Sequence, residues 1–294
     1  MSQLPLLVVA NPRSGRGRSL KIASHFISLA HSEGIKSVLI ALDGEELMLS
    51  KIRELLVKEE WAGLIAVGGD GLLHSLLPIV KEHALSFTVI PAGTGNDFAR
   101  EIGSKRRSLK ENLHRILGQP TQIDSFTVKS RSGVHHGAQV LSLGFDALVN
   151  ERANAIKSVR GKAKYVVAMV RELPVFKPMH FSITVDGVAY EREAMLIAIA
   201  NGPSYGGGML ICPGADHADG ILDLLILNRV STLELLKVFP KVYSGKHITH
   251  PAIEVIRGKH ILVNAQAKAF ADGEFVGDLP VEIQVEPGSL KVWK

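Results

Sequence analysis

The sequence predicts two domains of different class: an N-terminal α/β domain with a mainly parallel sheet, then an all-β domain of sandwich type. Three observations carry this expectation. Up to about residue 124, apolar strand runs alternate with helix-period segments in the order β-α-β-α-β-α-β. Beyond Gln122 the pattern changes to many short strands separated by polar turns. The length, 294 residues, exceeds one small core and suits two domains of about 100–200 residues each. The predicted boundaries are 1–124 and 125–284, and they rest on the change of pattern alone.

Leu6–Ala10 is an unbroken apolar run with two valines, the composition of a strand buried on both faces. Ser19–Glu33 carries Ile22, Ala23, Phe26, Leu29 and Ala30 at helical spacing and stops at Gly34. Val38–Leu42 is a second strand. Glu45–Glu60 is a helix with Leu47, Ile52, Leu55 and Leu56 facing inward. Leu64–Val67 is a third strand leading into Gly68-Gly69-Asp70-Gly71, and Leu72–His83 is helical. Phe87–Ile90 is a fourth strand leading into Gly93-Thr94-Gly95-Asn96-Asp97.

In the second domain, strand patterns fall at Phe126–Val128, Ala138–Leu143, Phe181–Val185, Ala194–Ala200, Leu222–Leu227, Ile253–Ile256, Ile261–Val263, Lys268–Ala271 and Val281–Val285. Asp186-Gly187 has the composition of a hairpin turn. Helical patterns interrupt at Leu148–Leu173 and Leu233–Val242. The first of these carries six basic residues, which fits a packed amphipathic helix or one lying on a membrane.

Composition narrows the partners. A net charge of +5 fits an acidic partner such as nucleotide phosphates or an anionic membrane surface. It is too weak to argue for nucleic acid, and no zinc-finger or RNA-recognition signature is present. The single cysteine, Cys212, excludes an internal disulfide and suits a reducing cytosol. No run approaches 18 apolar residues, so no transmembrane helix is expected. The expected location is cytoplasmic, peripheral at the inner membrane surface; a homodimer stays open. His135, His136, His247 and His250 are too scattered for a metal site and read as solvated loop residues. Lys105-Arg106-Arg107 reads as a solvated charge run or a face toward a membrane.

The glycine loops carry the chemistry. Each follows a predicted parallel strand, where ligands bind in open α/β sheets. Without Cβ the backbone turns sharply and brings N–H groups up to a phosphate, and a helix N-terminus adds partial positive charge. A third loop, Asn11-Pro12-Arg13-Ser14-Gly15-Arg16-Gly17-Arg18, also follows a strand and opens a helix, with three arginines suited to phosphate oxygens. Any one of these loops also fits an ordinary strand–helix turn; three at successive strand ends point to a shared ligand site. Asn96 and Asp97 fit either a helix cap or a role in fixing the loop or touching the ligand.

The motifs Asn-Pro-x-Ser-Gly at 11–15, Gly-Gly-Asp-Gly at 68–71 and Pro-x-Gly-Thr-Gly-Asn-Asp-Phe-Ala-Arg at 91–100 resemble the diacylglycerol kinase catalytic domain family, most of all its small soluble bacterial lipid kinases. The resemblance continues through Gly144-Phe145-Asp146-Ala147, Gly206-Gly207-Gly208-Met209 with Pro213, Asp219-Gly220 and Asp272-Gly273-Glu274. It implies a phosphofructokinase-like α/β domain that binds ATP, a C-terminal β-sandwich domain that helps hold the lipid, and an active site in the cleft between them. It makes 285–294 a candidate to complete the first domain. The implied reaction is ATP-dependent transfer of the γ-phosphoryl group to a lipid hydroxyl, of diacylglycerol or a related lipid, with Mg²⁺ and a place in phospholipid biosynthesis. The implied nucleotide-binding residues are Asn11, Ser14, Gly15, Gly68, Gly69, Asp70, Gly71, Gly93, Thr94, Gly95, Asn96 and Asp97. Asp272 is implied as general base with Glu274 beside it, although Asp272-Gly273 also fits a plain hairpin turn. The stretch around Asp216, Asp219 and Ile221 resembles the family's second-domain metal loop, and fits an ordinary turn equally.

Two positions after the Gly-Gly-Asp-Gly loop depart from the family pattern, as does Ala41-Leu42, where members often place a threonine after the second strand. Leu72 and Ser75 stand where a threonine and a glutamate are usual, which puts the ordinary mode of nucleotide binding in question. Two alternatives therefore stay open: a small-molecule kinase of the NAD kinase type, and a non-catalytic regulator that binds lipid or nucleotide.

Overall fold

The structure, a computed structural model, describes residues 4–93, 95–144, 149, 152 and 177–294. Thr94, the 145–147 part of the Gly144-Phe145-Asp146-Ala147 motif and, apart from Val149 and Arg152, the predicted helix 148–173 lie outside the described residues. The chain divides into two compact units: Met1–Ile123 with Gly288–Lys294, and Asp124–Pro287.

The first unit is built on parallel strands β1 (Leu6–Ala10), β2 (Ser37–Ile40), β3 (Gly63–Gly68) and β4 (Ser86–Pro91) in the order β2-β1-β3-β4. Every residue of β1 and β3 is buried, as the unbroken apolar runs require of strands covered on both faces. Helices α1 (Arg18–Ser32), α2 (Glu45–Lys58), α3 (Asp70–Glu82), α4 (Asp97–Glu101) and α5 (Leu109–Ile116) follow in chain order. Ala23, Phe26 and Ala30 of α1 form one buried stripe against Leu6, Val8, Ile65 and Val67. The last residues of the chain belong to this unit. Lys291 and Val292 pair in parallel with Ser86 and Phe87, and the Trp293 indole lies in the same core and donates to Gly118 O at 3.1 Å.

The structure shifts some predicted features. In α2 the inward face is Met48 and Ile52, while Leu47 is 58% exposed. The i, i+4 pair sets the helix phase and turns the residue before it outward. Helix α3 begins at Asp70, two residues before the expected start, because Gly69 is extended and serves as its N-cap.

The second unit is antiparallel. Its strands are β5 (Thr121–Ser130), β6 (Gly133–Gly137), β7 (Val140–Gly144), β8 (Met179–Val185), β9 (Val188–Ala200), β10 (Leu222–Asn228), β11 (Ile253–Gly258), β12 (His260–Asn264), β13 (Lys268–Ala271), β14 (Glu274–Asp278) and most of β15 (Val281–Val292). The long β9 organises them: its first half pairs with β8, and its second half lies between β7 and β10. Alternate residues such as Leu141, Leu143, Phe181, Ile183, Ile197, Ile199, Leu224 and Ile226 form one sandwich core. Two hairpins close with two-residue turns whose residues both have left-handed φ: Asp186-Gly187 (48° and 86°) and Asp272-Gly273 (52° and 93°). The predicted helix 233–242 is an α-helix, α6, only over Thr232–Val238. Pro240 has no N–H to give to the helix, and the chain continues as a 3-10 turn over Phe239–Ser244. Among the described residues no helix is long and apolar enough to cross a membrane.

Candidate functional site

In the first unit the three glycine loops meet at the C-terminal ends of β1, β3 and β4. Asn11 folds the first loop on itself: its Oδ1 accepts from Arg13 N at 2.9 Å, and its carbonyl accepts from Ser14 N at 3.0 Å and Ser19 Oγ at 2.5 Å. Gly15, at φ 56°, lies so close to Ala92 that a Cβ would run into the Ala92 carbonyl. Gly68 O accepts from Ala92 N at 2.8 Å and Gly93 N at 3.3 Å. A Cβ on Gly93 would stand 2.8 Å from Gly69 Cα. Glycine at these positions is therefore a steric condition of contact between the loops.

Asp70 ties the second loop to the third. Its Oδ1 accepts from Asp97 N at 2.9 Å and Phe98 N at 3.4 Å, so it caps α4 from outside that helix. Asn96, the N-cap residue, makes no side-chain cap there. Asn96, left-handed at φ 53° and buried, instead brackets Gly93, with Oδ1 accepting from its N–H at 3.1 Å and Nδ2 donating to its carbonyl at 2.7 Å. The buried Asp97 pairs with Arg100, which donates to Gly95 O at 3.1 Å; Lys105 Nζ donates to the same carbonyl at 3.0 Å. Lys105 is thus turned toward the glycine loop, a role that a charge run in sequence does not announce. Gly71 lies in the first turn of α3, and its carbonyl accepts from Ser75 Oγ at 3.1 Å. Leu72 is buried over Gly68. These two departures from the family pattern are therefore turned to packing and to the helix backbone.

In the second unit Asp272 closes the β13–β14 hairpin. Its Oδ2 accepts from Ala138 N at 2.7 Å, and its Oδ1 from Gln139 N and Val140 N, both at 2.9 Å. Its own N–H donates to Val140 O at 3.0 Å. Three peptide donors on one carboxylate anchor it far more firmly than a hairpin turn requires. Glu274 is exposed at the start of β14. The sequence reading missed the 138–140 segment, because its donors are peptide N–H groups with no side-chain signature.

Asp216, Asp219 and Ile221 form a tight turn. Asp216 Oδ1 accepts from Ala218 N at 3.0 Å, its carbonyl from Asp219 N at 3.3 Å, and Asp219 Oδ1 from Ile221 N at 3.0 Å. Asp219 Oδ2 pairs with Arg257, whose Nε lies 3.4 Å from Asp223 Oδ1. Burial pushes the Asp223 carboxyl up, opposed by Arg257. As arranged, Arg257 of β11 supplies the cation beside the loop, and among the described residues no group of three or more His, Cys, Asp or Glu side chains is spaced to hold a metal. Gly220 N donates to Oδ2 of the buried Asp124 at 2.7 Å. His247 departs from its expected solvated setting: it is buried, with Nε2 3.0 Å from Ile211 O, and burial pushes its pKa down.

An α/β unit with glycine turns at its strand ends, followed by an antiparallel sandwich unit, defines a lipid kinase when set beside known proteins. Residues 5–128 match the diacylglycerol kinase catalytic domain, and residues 139–294 match the YegS C-terminal NAD kinase beta sandwich-like domain. A diacylglycerol kinase of Mycobacterium tuberculosis (strain ATCC 25618 / H37Rv) is 33% identical over 288 residues, covering 97% of this chain and 93% of the relative. A diacylglycerol kinase of Bacillus subtilis (strain 168) is 27% identical over 286 residues, covering 94% and 91%. Among solved structures, two chains from Bacillus anthracis str. Sterne share the fold, with TM-scores of 0.79 at 20% identity and 0.72 at 16% identity. Each alignment covers 99% of this chain, with 98% and 97% of the other. The chain belongs to the diacylglycerol kinase catalytic domain family.

Proposed function

We propose that this lipid kinase transfers the γ-phosphoryl group of ATP to the hydroxyl of diacylglycerol or a closely related lipid, working peripherally at the cytoplasmic face of the membrane and feeding phospholipid biosynthesis. The observation that carries the nucleotide half is the mutual contact of the three glycine loops, where any Cβ at Gly15 or Gly93 collides with backbone. Such turns present peptide N–H groups to phosphate oxygens, and the N-terminus of α3 adds favourable charge. Ser14, Gly15, Gly68, Gly69, Asp70, Gly71, Gly93, Gly95 and, outside the described residues, Thr94 are the proposed phosphate-binding residues. Asn11, Asn96 and Asp97 hold the loops that carry them. Mg²⁺ bound with the nucleotide would supply charge neutralisation during transfer.

Asp272 is the proposed acceptor of the lipid hydroxyl proton, with Glu274 as its neighbour. The three peptide donors on its carboxylate support this reading, since a base is useful only where its orientation is held. The Asp216, Asp219 and Ile221 turn is a candidate metal loop in which Arg257 and a cation compete for Asp219.

The test uses the purified full chain with Mg²⁺, labelled ATP and mixed micelles of diacylglycerol, phosphatidylglycerol or sphingoid bases, with NAD as a soluble control. Label is expected in diacylglycerol or one of its close relatives, and Asp272→Asn is expected to lower kcat by roughly 10²–10⁴-fold. Label in no lipid, NADP as the product, or an Asp272→Asn variant as active as wild type would each defeat the proposal.

A further inference from the structure

Two of the three peptide units that hold Asp272 are themselves gripped from their opposite edges, and by one residue. The 138–139 peptide gives its N–H to Asp272 Oδ1, and its carbonyl accepts from Asn201 Nδ2 at 2.8 Å. The 139–140 peptide gives its N–H to the same oxygen, and its carbonyl accepts from Asn201 N at 2.8 Å and Gly202 N at 3.1 Å. The second Nδ2 hydrogen goes to Asp124 O at 3.0 Å. Asn201 follows directly on β9 and is 0% exposed. With both Nδ2 hydrogens committed to carbonyls, the amide orientation is set, and Oδ1 has no hydrogen-bond partner among the described residues. A buried amide half unsatisfied is costly. Its satisfied half holds the plane of the 138–139 peptide, while the Asn201 backbone N–H holds the next one.

We infer that Asn201 is a positioning residue for the Asp272 carboxylate, acting through the 138–139 and 139–140 peptides; this rests on the reading of Asp272 as proton acceptor. A peptide held at both edges cannot rotate, so the place of Oδ1 is set by Asn201 as much as by the hairpin. Donation to the carbonyl side also polarises the peptide and strengthens its N–H as a donor. The network runs on to Asp124, whose carboxylate holds Gly220 of the acidic turn, so two buried side chains, Asn201 and Asp124, tie the segment before β7 and the acidic turn to β5.

Asn201→Asp keeps the shape, removes both Nδ2 donors and sets a carboxylate oxygen against the carbonyls of Ala138 and Asp124. The 138–139 peptide must turn, and Asp272 shifts with it. A displacement approaching 1 Å at a reacting group lowers turnover by up to about 100-fold. The experiment measures kcat and the KM for ATP with the full chain and diacylglycerol micelles for wild type, Asn201→Asp, Asp272→Asn and the double variant. The expected result is a kcat roughly 10–100-fold lower for Asn201→Asp, a KM for ATP within about two-fold of wild type, and no further loss when it is added to Asp272→Asn. An equal loss in both backgrounds, or none in either, overturns the inference alone. Asp272→Asn with wild-type kcat overturns the base assignment and the inference with it. If Asn201→Asp does not fold, Asn201→Ala removes the same donors without adding charge and is judged by the same outcomes.

Discussion

Gly93→Ala is the sharpest probe of the nucleotide loops. The added methyl stands 2.8 Å from Gly69 Cα, 3.0 Å from Asn96 Oδ1 and 3.3 Å from Gly69 N. Carbon atoms pack at about 3.5–4.0 Å, so the second and third loops must part by roughly 1 Å. The obstacle is backbone and cannot swing aside as the end of a side chain does. Overpacking of this kind costs about 1–3 kcal/mol. It falls on bonded groups, since Gly93 N is shared by Gly68 O and Asn96 Oδ1. At roughly 4 °C per kcal/mol for a domain of this size, Tm drops by several degrees. Misplacing the phosphate donors by about 1 Å lowers kcat/KM for ATP by roughly 10–100-fold. Gly214→Ala is the control, because its Cβ meets nothing within 4 Å and its φ is not positive. The assays are calorimetric ATP binding, steady-state kinetics and thermal unfolding. A folded Gly93→Ala protein that binds ATP as wild type does would refute the steric argument for a phosphate site formed by touching glycine loops.

Arg257→Gln removes the internal cation from Asp219 and Asp223. Without nucleotide, the wild-type Tm is expected to ignore a chelator, whereas the variant starts lower and gains stability with added Mg²⁺. A wild-type Tm that falls on chelation would mean that a metal, and not Arg257, neutralises the turn. The Arg192–Glu254 pair predicts a pH dependence. Two hydrogen bonds of 2.9 Å from Arg192 hold the Glu254 carboxyl below its ordinary value. Its folded pKa is the lower one, so the stabilisation is complete above the unfolded value and is lost as pH falls through the folded value. With both side chains about one-third exposed, the pair contributes about 0.5–1 kcal/mol. Denaturant unfolding of wild type and Glu254→Gln should show that gap at neutral pH and its closure in acid; a gap independent of pH would contradict the assignment.

Much of the first unit is legible in sequence because its strands are covered on both faces and so appear as continuous apolar runs. The glycine loops are legible for a steric reason: where backbone meets backbone, as at Gly69 and Gly93, only one residue type fits. The Asp186-Gly187 and Asp272-Gly273 turns are readable for a related reason, since a two-residue hairpin needs two left-handed positions. Strands β6 and β14 left no clear pattern. Both lie at sheet edges, and their exposed, glycine-containing residues do not alternate.

Element type, element order and the residues demanded at turns were decided locally, by side-chain period and by φ. The partners were decided by folding. Asp70 meets the N–H of Asp97 across 27 positions, Arg257 meets Asp219 across 38, and Asp272 meets the 138–140 peptides across 132 to 134. Asn201 reaches Asp124 and Ala138 across 77 and 63. Hydrophobic period tells which face a residue turns to the core but not which strand arrives to meet it. A peptide N–H, the donor in most of these contacts, is the same at every residue but proline. The candidate base was therefore visible as a residue, while the peptide cradle around it and the buried amide behind that cradle exist only once the sandwich has closed.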